Sequence, residues 1–287
     1  MKYILGVDGG GTKTTATLYN DKMEVLGHFL GGPMNLQIVS GDKVKNIFKN
    51  MLNHFNLKAQ SIKIGVGAAG AGRPEDIKKL EFILKDLGFK KYAVSNDAYI
   101  GLLAIHGKND GMMIISGTGS IGFALKDGTL YRKGGWGHLL GDEGSGYSIG
   151  LSLGKRVFHS LDKDEVFPEK IFEDILALTN TKNSGEFLKW IYKNDKSEIA
   201  KLSSIVLKNG DYRICQEIIE EAVKDLKDLV LHIKRITNLN TVGFVGGIIE
   251  NETIIRKKLL LELKCLGIEF VERKYSNEYG ATLLLEG

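Results

Sequence analysis

The sequence of 287 residues lacks the features that mark several classes of protein. It has only two cysteines, Cys215 and Cys265, and their wide separation offers neither a disulfide framework nor the paired spacing of a zinc site. No apolar stretch is long enough for a membrane span or for the apolar core of a signal peptide. These absences favour a protein of a reducing, cytoplasmic setting.

Charge of one sign is also scarce. The 39 basic and 35 acidic residues give a net charge of +4, and no run of five or more like charges occurs. Nucleic acid and membrane surfaces are therefore not suggested as partners. With 43% hydrophobic and 26% charged residues, the composition is that of a soluble globular protein, and the length allows one large domain or two medium ones.

Glycine, by contrast, is abundant. The chain has 36 glycines, and 27 of them lie at or before Gly150. Glycine is used where the backbone takes a positive φ or approaches another group closely. Glycine clusters beside strands are therefore candidate ligand-binding loops.

The hydrophobic pattern predicts an α/β protein, because strands alternate with amphipathic helices and the central strands should be largely parallel. In the first half the predicted strands are residues 3–7, 14–19, 24–29, 62–66 and 92–95, and the predicted helices are 43–55, 74–87 and 98–105. Later strands are predicted at 112–116, 121–125, 129–132, 242–245 and 268–272, with a mainly helical region from Ser148 and helices at 253–266 and 278–285.

An apolar strand followed by a turn of glycine and threonine occurs twice in the sequence. An apolar strand runs into Asp8 and residues 9–12, which are three glycines and a threonine, and a second strand runs into residues 116–120, with the sequence Ser-Gly-Thr-Gly-Ser. Backbone N–H groups in such turns can converge on an anion, and a threonine hydroxyl adds a donor. Either turn alone would be interpreted as an ordinary tight hairpin, but the duplication favours a clamp for a polyphosphate.

Other phosphate-binding motifs are excluded. A Walker A loop needs Ser or Thr after Gly-Lys, whereas the two Gly-Lys pairs precede Asn109 and Arg156. The dinucleotide spacing Gly-x-Gly-x-x-Gly occurs from Gly65 and from Gly117, but neither copy leads directly into a helix, and no acidic residue stands at the ribose position. A Rossmann fold is therefore disfavoured.

Two carboxylates end strands beside candidate ligand loops. Asp8 next to bound phosphates would suit a magnesium ion, although its side chain could instead stabilise its own turn. Asp97 lies between a strand and a helix, where it could cap the helix or accept a proton from a substrate hydroxyl. The residues alone leave both alternatives open.

The Gly-rich segment, residues 134–147, is the densest part of the sequence. It interleaves Trp136, His138, Asp142 and Glu143 with six glycines. An aromatic ring beside carboxylates suits a sugar, because the ring stacks on the apolar face while the carboxylates accept from hydroxyls. His138 by itself would be interpreted as structural, and the whole segment could be a surface loop.

These motifs resemble those of the N-acetylglucosamine kinases, in the actin-like superfamily of sugar kinases and ATPases. The resemblance rests on residues 6–14, on Asn96 with Asp97, on residues 116–120 and above all on the Gly-rich segment. It implies two actin-like (ribonuclease H-like) α/β lobes with a nucleotide and sugar cleft between them. The implied domains are residues 1–107 completed by 275–287, and residues 108–274 with a helical insertion.

The same resemblance implies a role for each matching residue. It predicts transfer of the γ-phosphoryl group of ATP, with Mg²⁺, to the primary 6-hydroxyl of an amino or N-acetylamino hexose, first of all N-acetylglucosamine. The implied ATP-binding residues are Gly10, Gly11, Thr12, Lys13, Gly117, Thr118, Gly119, Gly246 and Gly247. Asp8 would serve the metal, Asp97 would be the catalytic base, and Asn35, Asp97, Trp136, Gly137 and Asp142 would contact the sugar.

Three alternatives stay open at this point. Ile121 stands where the animal enzymes carry asparagine, which leaves glucosamine, N-acetylmuramic acid and glucose as competing substrates. The superfamily also contains ATPase activators of CoA-ester dehydratases and reductases, but these need thiolates for an iron–sulfur cluster, and both cysteines fall in helical patterns. A noncatalytic sugar sensor should lack Asp8 or Asp97.

A homodimer is the expected assembly.

Overall fold

The structure is a computed structural model that describes residues 2–286. The chain divides into two compact units: residues up to Asp110 together with those from Glu272 form unit 1, and Gly111–Val271 form unit 2. The outer limits of the predicted domains, residues 1 and 287, lie outside the described residues. The predicted boundaries at 107/108 and 274/275 stay a prediction.

Unit 1 contains a five-stranded sheet of order β3-β2-β1-β4-β5. The first three strands form an antiparallel meander, and β4 and β5 continue the sheet parallel to β1. The strands are β1 (Tyr3–Gly9), β2 (Thr14–Asn20), β3 (Val25–Gly31), β4 (Ile62–Ala68) and β5 (Lys91–Asn96), and the helices among them are α1 (Gly41–His54), α2 (Pro74–Asp86) and α3 (Asp97–His106). The predicted order βββαβαβα is confirmed.

The core of unit 1 follows the periodicity of its sequence. Helix α1 buries Val44, Phe48 and Met51, which recur at the three- and four-residue spacing of one helical face. They pack in one cluster with alternating residues of β1 and β4, such as Leu5 and Ile64. Burial of this face fixes α1 against the sheet.

Unit 2 contains a second five-stranded sheet, of order β10-β9-β6-β7-β8. Its strands are β6 (Gly111–Ser116), β7 (Ser120–Lys126), β8 (Thr129–Gly134), β9 (Thr241–Val245) and β10 (Glu269–Phe270). The first three again form an antiparallel meander, and β9 and β10 run parallel to β6. The two sheets therefore share one topology, although the last strand is shorter than the predicted residues 268–272.

Helices dominate the rest of unit 2, as predicted. They are α4 (Gly146–Asp162), α5 (Glu169–Thr179), α6 (Ser184–Lys193), α7 (Lys196–Lys201), α8 (Ser203–Lys208), α9 (Arg213–Thr237) and α10 (Ile254–Cys265). The long helix α9 buries one apolar face in the core of the unit, including Ile218, Leu226 and Val230. Within residues 2–286, no helix has the length and apolar character needed to cross a membrane.

The final helix, α11 (Asn277–Leu283), packs on the central strands of unit 1. A Cβ atom at Gly6 of β1 would collide with the carbonyl group of Glu278, and one at Gly65 of β4 would collide with that of Ala281. Only glycine at these positions allows the helix backbone to approach the sheet so closely. This contact brings the first turn of α11 to β1, whose last residue but one is Asp8.

Candidate active site

The first glycine turn, residues 10–13, joins β1 to β2. Gly11, Thr12 and Lys13 are exposed, and a Cβ at Gly11 would meet no atom within 4 Å. Buried contacts support the turn from below: the Thr14 hydroxyl donates to the Gly32 carbonyl at 2.7 Å. The turn thus presents a solvent-accessible backbone, as an anion-binding loop requires.

Asp8 lies at the end of β1, next to this turn. Its Oδ2 accepts a hydrogen bond from Asn277 Nδ2 at 2.8 Å, and Arg273 Nη2 donates to Asn277 Oδ1 at 2.8 Å. Burial raises the pKa of Asp8, and the negative charges of Glu278 and Asp97 raise it further, against the hydrogen bond from Asn277 and the charge of Arg273. The site carries negative charge that a cation would relieve.

The oxygen donors at Asp8 fit a magnesium ion held mainly by a nucleotide. Mg²⁺ keeps several waters and is bound through one or two carboxylates plus substrate phosphates rather than by an all-protein cage. In the described part of the chain, no group of three or more His, Cys, Asp or Glu side chains could hold a metal ion. Asp8 next to the predicted phosphate-binding turn matches the first arrangement.

Asp97 is the first residue of α3, and it does not cap the helix. The cap is Asn96, whose Oδ1 accepts from the backbone N–H of Tyr99 at 2.7 Å. The capping interpretation of Asp97 is therefore wrong. The Oδ1 atom of Asp97 accepts a hydrogen bond from the Ala98 N–H at 2.9 Å. The residue as a whole is exposed, but protein atoms around the carboxylate displace part of its water, and this desolvation raises the pKa of Asp97.

Asn35 lies in the loop after β3 and is half-buried. Its Oδ1 accepts from the backbone N–H of Gln37 at 2.9 Å, and a Cβ at Gly70 would lie only 2.5 Å from that oxygen. Gln37 Nε2 in turn donates to the Gly70 carbonyl and to the buried carboxylate of Asp76, at 3.1 and 3.0 Å. These contacts hold the Asn35 loop against the segment that follows β4.

The second glycine turn, residues 117–119, joins β6 to β7 and is tied to the Gly-rich segment by hydrogen bonds. Both serines that flank the turn and two carbonyl groups within it take part. The bonds are Ser116 Oγ to Gly144 O (2.9 Å), Ser120 Oγ to Glu143 O (2.6 Å), Gly146 N to Gly117 O (2.8 Å) and Tyr147 N to Thr118 O (3.3 Å). The two motifs that the sequence singled out separately are one structural piece.

Gly246 and Gly247 follow β9, and Gly246 lies against the same turn. Gly246 has a φ of 98°, and a Cβ there would lie 2.5 Å from the Ser116 carbonyl oxygen. That oxygen accepts from the backbone N–H of Ile248 at 3.0 Å. Gly246 therefore meets both conditions that select glycine: a left-handed backbone and a close approach.

The predicted sugar residues of unit 2 differ in accessibility. The Trp136 side chain is 68% exposed, with the Arg132 guanidinium 5.0 Å from the ring centre, and a Cβ at Gly137 would meet no atom within 4 Å. Asp142 is only 3% exposed; its Oδ2 accepts from Lys196 Nζ at 2.8 Å and its Oδ1 from the Ser120 N–H at 3.3 Å. Trp136 is open to a ligand, whereas Asp142 supports the second glycine turn.

Two further positions of the Gly-rich segment have packing contacts. The His138 ring lies edge-on to the Tyr147 ring with 5.1 Å between centres, in agreement with the structural interpretation of this histidine. A Cβ at Gly135, where φ is 68°, would collide with the side chain of Ile121. Ile121 thus packs where the Gly-rich segment begins.

Sequence reasoning missed Lys196 and Asn277, each of which donates a hydrogen bond to a predicted site carboxylate. Lys196 is separated from Asp142 by 54 positions and Asn277 from Asp8 by 269. Neither belongs to a glycine or carboxylate motif, so no local pattern marks them. Only the contacts of α7 and α11 reveal them.

The chain belongs to the BadF/BadG/BcrA/BcrD ATPase family, whose model matches residues 5–284. It is 32% identical over 303 residues to the N-acetylmuramic acid/N-acetylglucosamine kinase of Clostridium acetobutylicum, covering 99% of this chain and 98% of that protein. It is 29% identical to the N-acetyl-D-glucosamine kinase of Dictyostelium discoideum, over 88% and 87% of the two chains. The resemblance to N-acetylglucosamine kinases is confirmed.

A crystal structure of a Chromobacterium violaceum protein has the same fold, with a TM-score of 0.76, 24% identity and 99% of each chain covered. The predicted two-lobed, actin-like α/β fold is therefore confirmed, with one five-stranded sheet in each lobe. The predicted enzyme class, a phosphotransferase with an alcohol acceptor, is the class of both curated relatives.

Proposed function

We propose that this protein is an ATP-dependent kinase of an amino sugar. The observation that carries the proposal is the pair of glycine turns in topologically matching sheets. One turn lies beside Asp8, and the negative charge of Asp97 helps to raise the pKa of Asp8. The other turn is hydrogen-bonded to the Gly-rich segment, in which Trp136 is exposed. Membership of an ATPase family and the sugar kinase names of the curated relatives support it.

ATP would be held by backbone groups and side chains of the two glycine turns and of the residues that follow β9. The proposed nucleotide-binding residues are Gly10, Gly11, Thr12, Lys13, Gly117, Thr118, Gly119, Gly246 and Gly247. Asp8 would hold Mg²⁺, which, when bound, neutralises charge on the phosphate oxygens. The exposed backbone of the first turn and the left-handed Gly246 support these roles.

Asp97 is the proposed catalytic base. Its carboxylate would accept a hydrogen bond from the sugar hydroxyl, orient it in line with the γ-phosphoryl group and take its proton as transfer proceeds. The raised pKa supports this role, because a more basic carboxylate accepts a proton more readily. Most of the rate enhancement would come from positioning and from stabilising charge on the transferred group.

N-acetylglucosamine is the first candidate substrate, phosphorylated on its primary 6-hydroxyl. Trp136 would stack on the sugar, Gly137 would allow its close approach, and Asn35 and Asp97 would bind hydroxyls. Asp142 as a direct sugar ligand stays a prediction, because its buried carboxylate already accepts from Lys196 and Ser120. N-acetylmuramic acid is the second candidate, since the relative matched over nearly the whole chain is named for both sugars.

The test is a panel of sugars incubated with Mg²⁺ and ATP and analysed by mass spectrometry. We expect a phosphate on N-acetylglucosamine, and the fragmentation pattern or NMR of the product would locate it at position 6. Glucosamine, N-acetylmuramic acid and glucose complete the panel, and Asp97→Asn is the control for contaminating kinases. Steady ATP hydrolysis without a sugar product would contradict the proposal.

That outcome would favour an ATPase activator instead. The geometry offers this alternative little support, because Cys215 is buried in the core of unit 2 and burial raises the pKa of its thiol to about 11. A thiol enclosed in the core of one unit is poorly placed to ligate a cluster shared between two subunits. The proposed homodimer and cytoplasmic location would be tested by light scattering and by fractionation of cells that produce the protein.

A further inference from the structure

Lys196 is a cation that the structure places against the second glycine turn. Its Nζ lies 2.9 Å from the position that a Cβ of Gly119 would occupy. It also donates to Asp142 Oδ2 at 2.8 Å. The Lys196 side chain is 32% exposed, whereas that of Asp142 is 4% exposed. A partly accessible ammonium group is thus held beside a proposed phosphate-binding turn by a buried carboxylate.

The charges at this turn require a cation if phosphate is to bind there. An unpaired Asp142 carboxylate, whose Oδ2 is also 2.9 Å from the Cβ position of Gly119, would repel an incoming phosphate. Lys196 neutralises it and still has N–H groups to offer. Among residues 2–286, Asp142 is the one acceptor within hydrogen-bonding distance of Lys196 Nζ, and an ammonium group has three donors.

We propose that Lys196 binds a phosphate group of the nucleotide at residues 117–119, an inference that rests on the proposed ATP-dependent function. Asp142 is then a positioning residue: one oxygen holds Lys196 and the other accepts from the backbone N–H of Ser120, the residue that follows the turn. A long side chain already held in place loses less conformational entropy when the ligand binds.

The test is calorimetric titration of the full chain, with Mg²⁺ present, using ATP, ADP, AMP and adenosine. Charge-assisted hydrogen bonds contribute about 1.5–3 kcal/mol, so Lys196→Met should weaken ATP binding roughly 10- to 100-fold. Adenosine binding should stay unchanged, because Lys196 contacts only phosphate. Equal losses for ATP and adenosine, or no loss for ATP, would overturn the inference.

Lys201→Met is the matched control. Lys201 lies on the same short helix, α7, but its Nζ pairs with Glu198 on the surface. Removing it changes the net charge by the same amount without touching the turn, so ATP affinity should stay within about twofold of the parent's. An equal loss in both variants would assign the effect to overall charge.

A double variant separates phosphate binding from simple neutralisation of Asp142. If Lys196 serves only to cancel the carboxylate, Asp142→Asn combined with Lys196→Met should bind ATP as the parent does, which would overturn the inference. If Lys196 contacts phosphate, the double variant should remain about 10-fold or more weaker, and Lys196→Arg should retain most of the affinity. The double variant also keeps the test possible should an unpaired Asp142 prevent folding of Lys196→Met.

The inference and the proposed function fail in different ways. A parent protein that phosphorylates a sugar while Lys196→Met binds ATP normally would overturn the inference alone. A parent protein that binds no ATP under the same conditions would overturn both.

Discussion

The two glycine turns occupy the same place in two sheets of identical topology, yet they are supported differently. The first, between β1 and β2, is exposed and carries its own cation, Lys13. The second, between β6 and β7, is bonded to the Gly-rich segment, and its nearby cation is Lys196 of helix α7. A glycine turn with a nearby cation can therefore be formed by adjacent residues or by residues that are distant in the sequence. In the second case, the position of the cation depends on how the helices of the unit pack.

The largest effect expected from a single substitution concerns Asp97, the proposed catalytic base, which follows the sheet that carries the first turn. Asp97→Asn should lower turnover at saturating ATP and sugar by at least about 100-fold, because general-base contributions are typically about 100- to 10,000-fold. Asn96, the actual cap, is untouched. Activity within about fivefold of the parent's would leave the proposed mechanism without its base.

The direction in which Asp97→Asn changes the melting temperature also follows from the structure. Loss of water around the Asp97 carboxylate raises its pKa in the folded protein, so the ionised form costs stability once the pH has risen above that pKa. Asparagine cannot ionise, and at pH 7 the melting temperature of Asp97→Asn should equal or exceed the parent's. A clear decrease would mean that the carboxylate has a structural role after all.

Alanine substitutions, one in each glycine turn, test whether surrounding contacts support the second turn more than the first. A Cβ at Gly119 would lie 2.9 Å from both Asp142 Oδ2 and Lys196 Nζ, whereas one at Gly11 would meet nothing within 4 Å. Gly119→Ala should therefore separate the ion pair and lower the free energy of unfolding by about 1–3 kcal/mol. Gly11→Ala should change it by less than about 0.5 kcal/mol. Urea denaturation measures both, and equal effects would remove the distinction between the turns.

The smallest effect concerns the exposed ring of the Gly-rich segment. Trp136→Ala should weaken binding of N-acetylglucosamine about 3- to 10-fold while leaving ATP affinity unchanged, because aromatic stacking contributes about 0.5–1.5 kcal/mol. Phe82→Ala is the control, since Phe82 is an equally exposed aromatic residue on α2 of unit 1. Unchanged sugar binding in Trp136→Ala, measured by calorimetry, would move the sugar site away from this segment.

Most of the fold was predictable because its signals are local. Apolar periodicity located the strands and helices. The spacing of Val44, Phe48, Met51 and Phe55 predicts one buried face of α1; the first three are buried, and Phe55 at the end of the helix is partly buried. The ends were less predictable: β10 has two residues where five were expected. At the edge of the unit 2 sheet, the predicted strand 268–272 extends beyond the last register pair, Phe270 with Val242, because a strand is defined by its pairing with a neighbour and not by hydrophobicity.

The candidate site divides in the same way. The sequence by itself determined the glycine turns, Asp8, Asp97 and the Gly-rich segment, because each is a pattern of neighbouring residues whose backbone conformation depends on those residues. Only the tertiary structure decided that Asn96 caps α3, that Asp142 is buried under the second turn, and that Lys196 and Asn277 pair with Asp142 and Asp8. The two residues of each pair are separated by 54 and by 269 positions, respectively. Such contacts depend on how helices pack on sheets, and a local sequence pattern does not predict that packing.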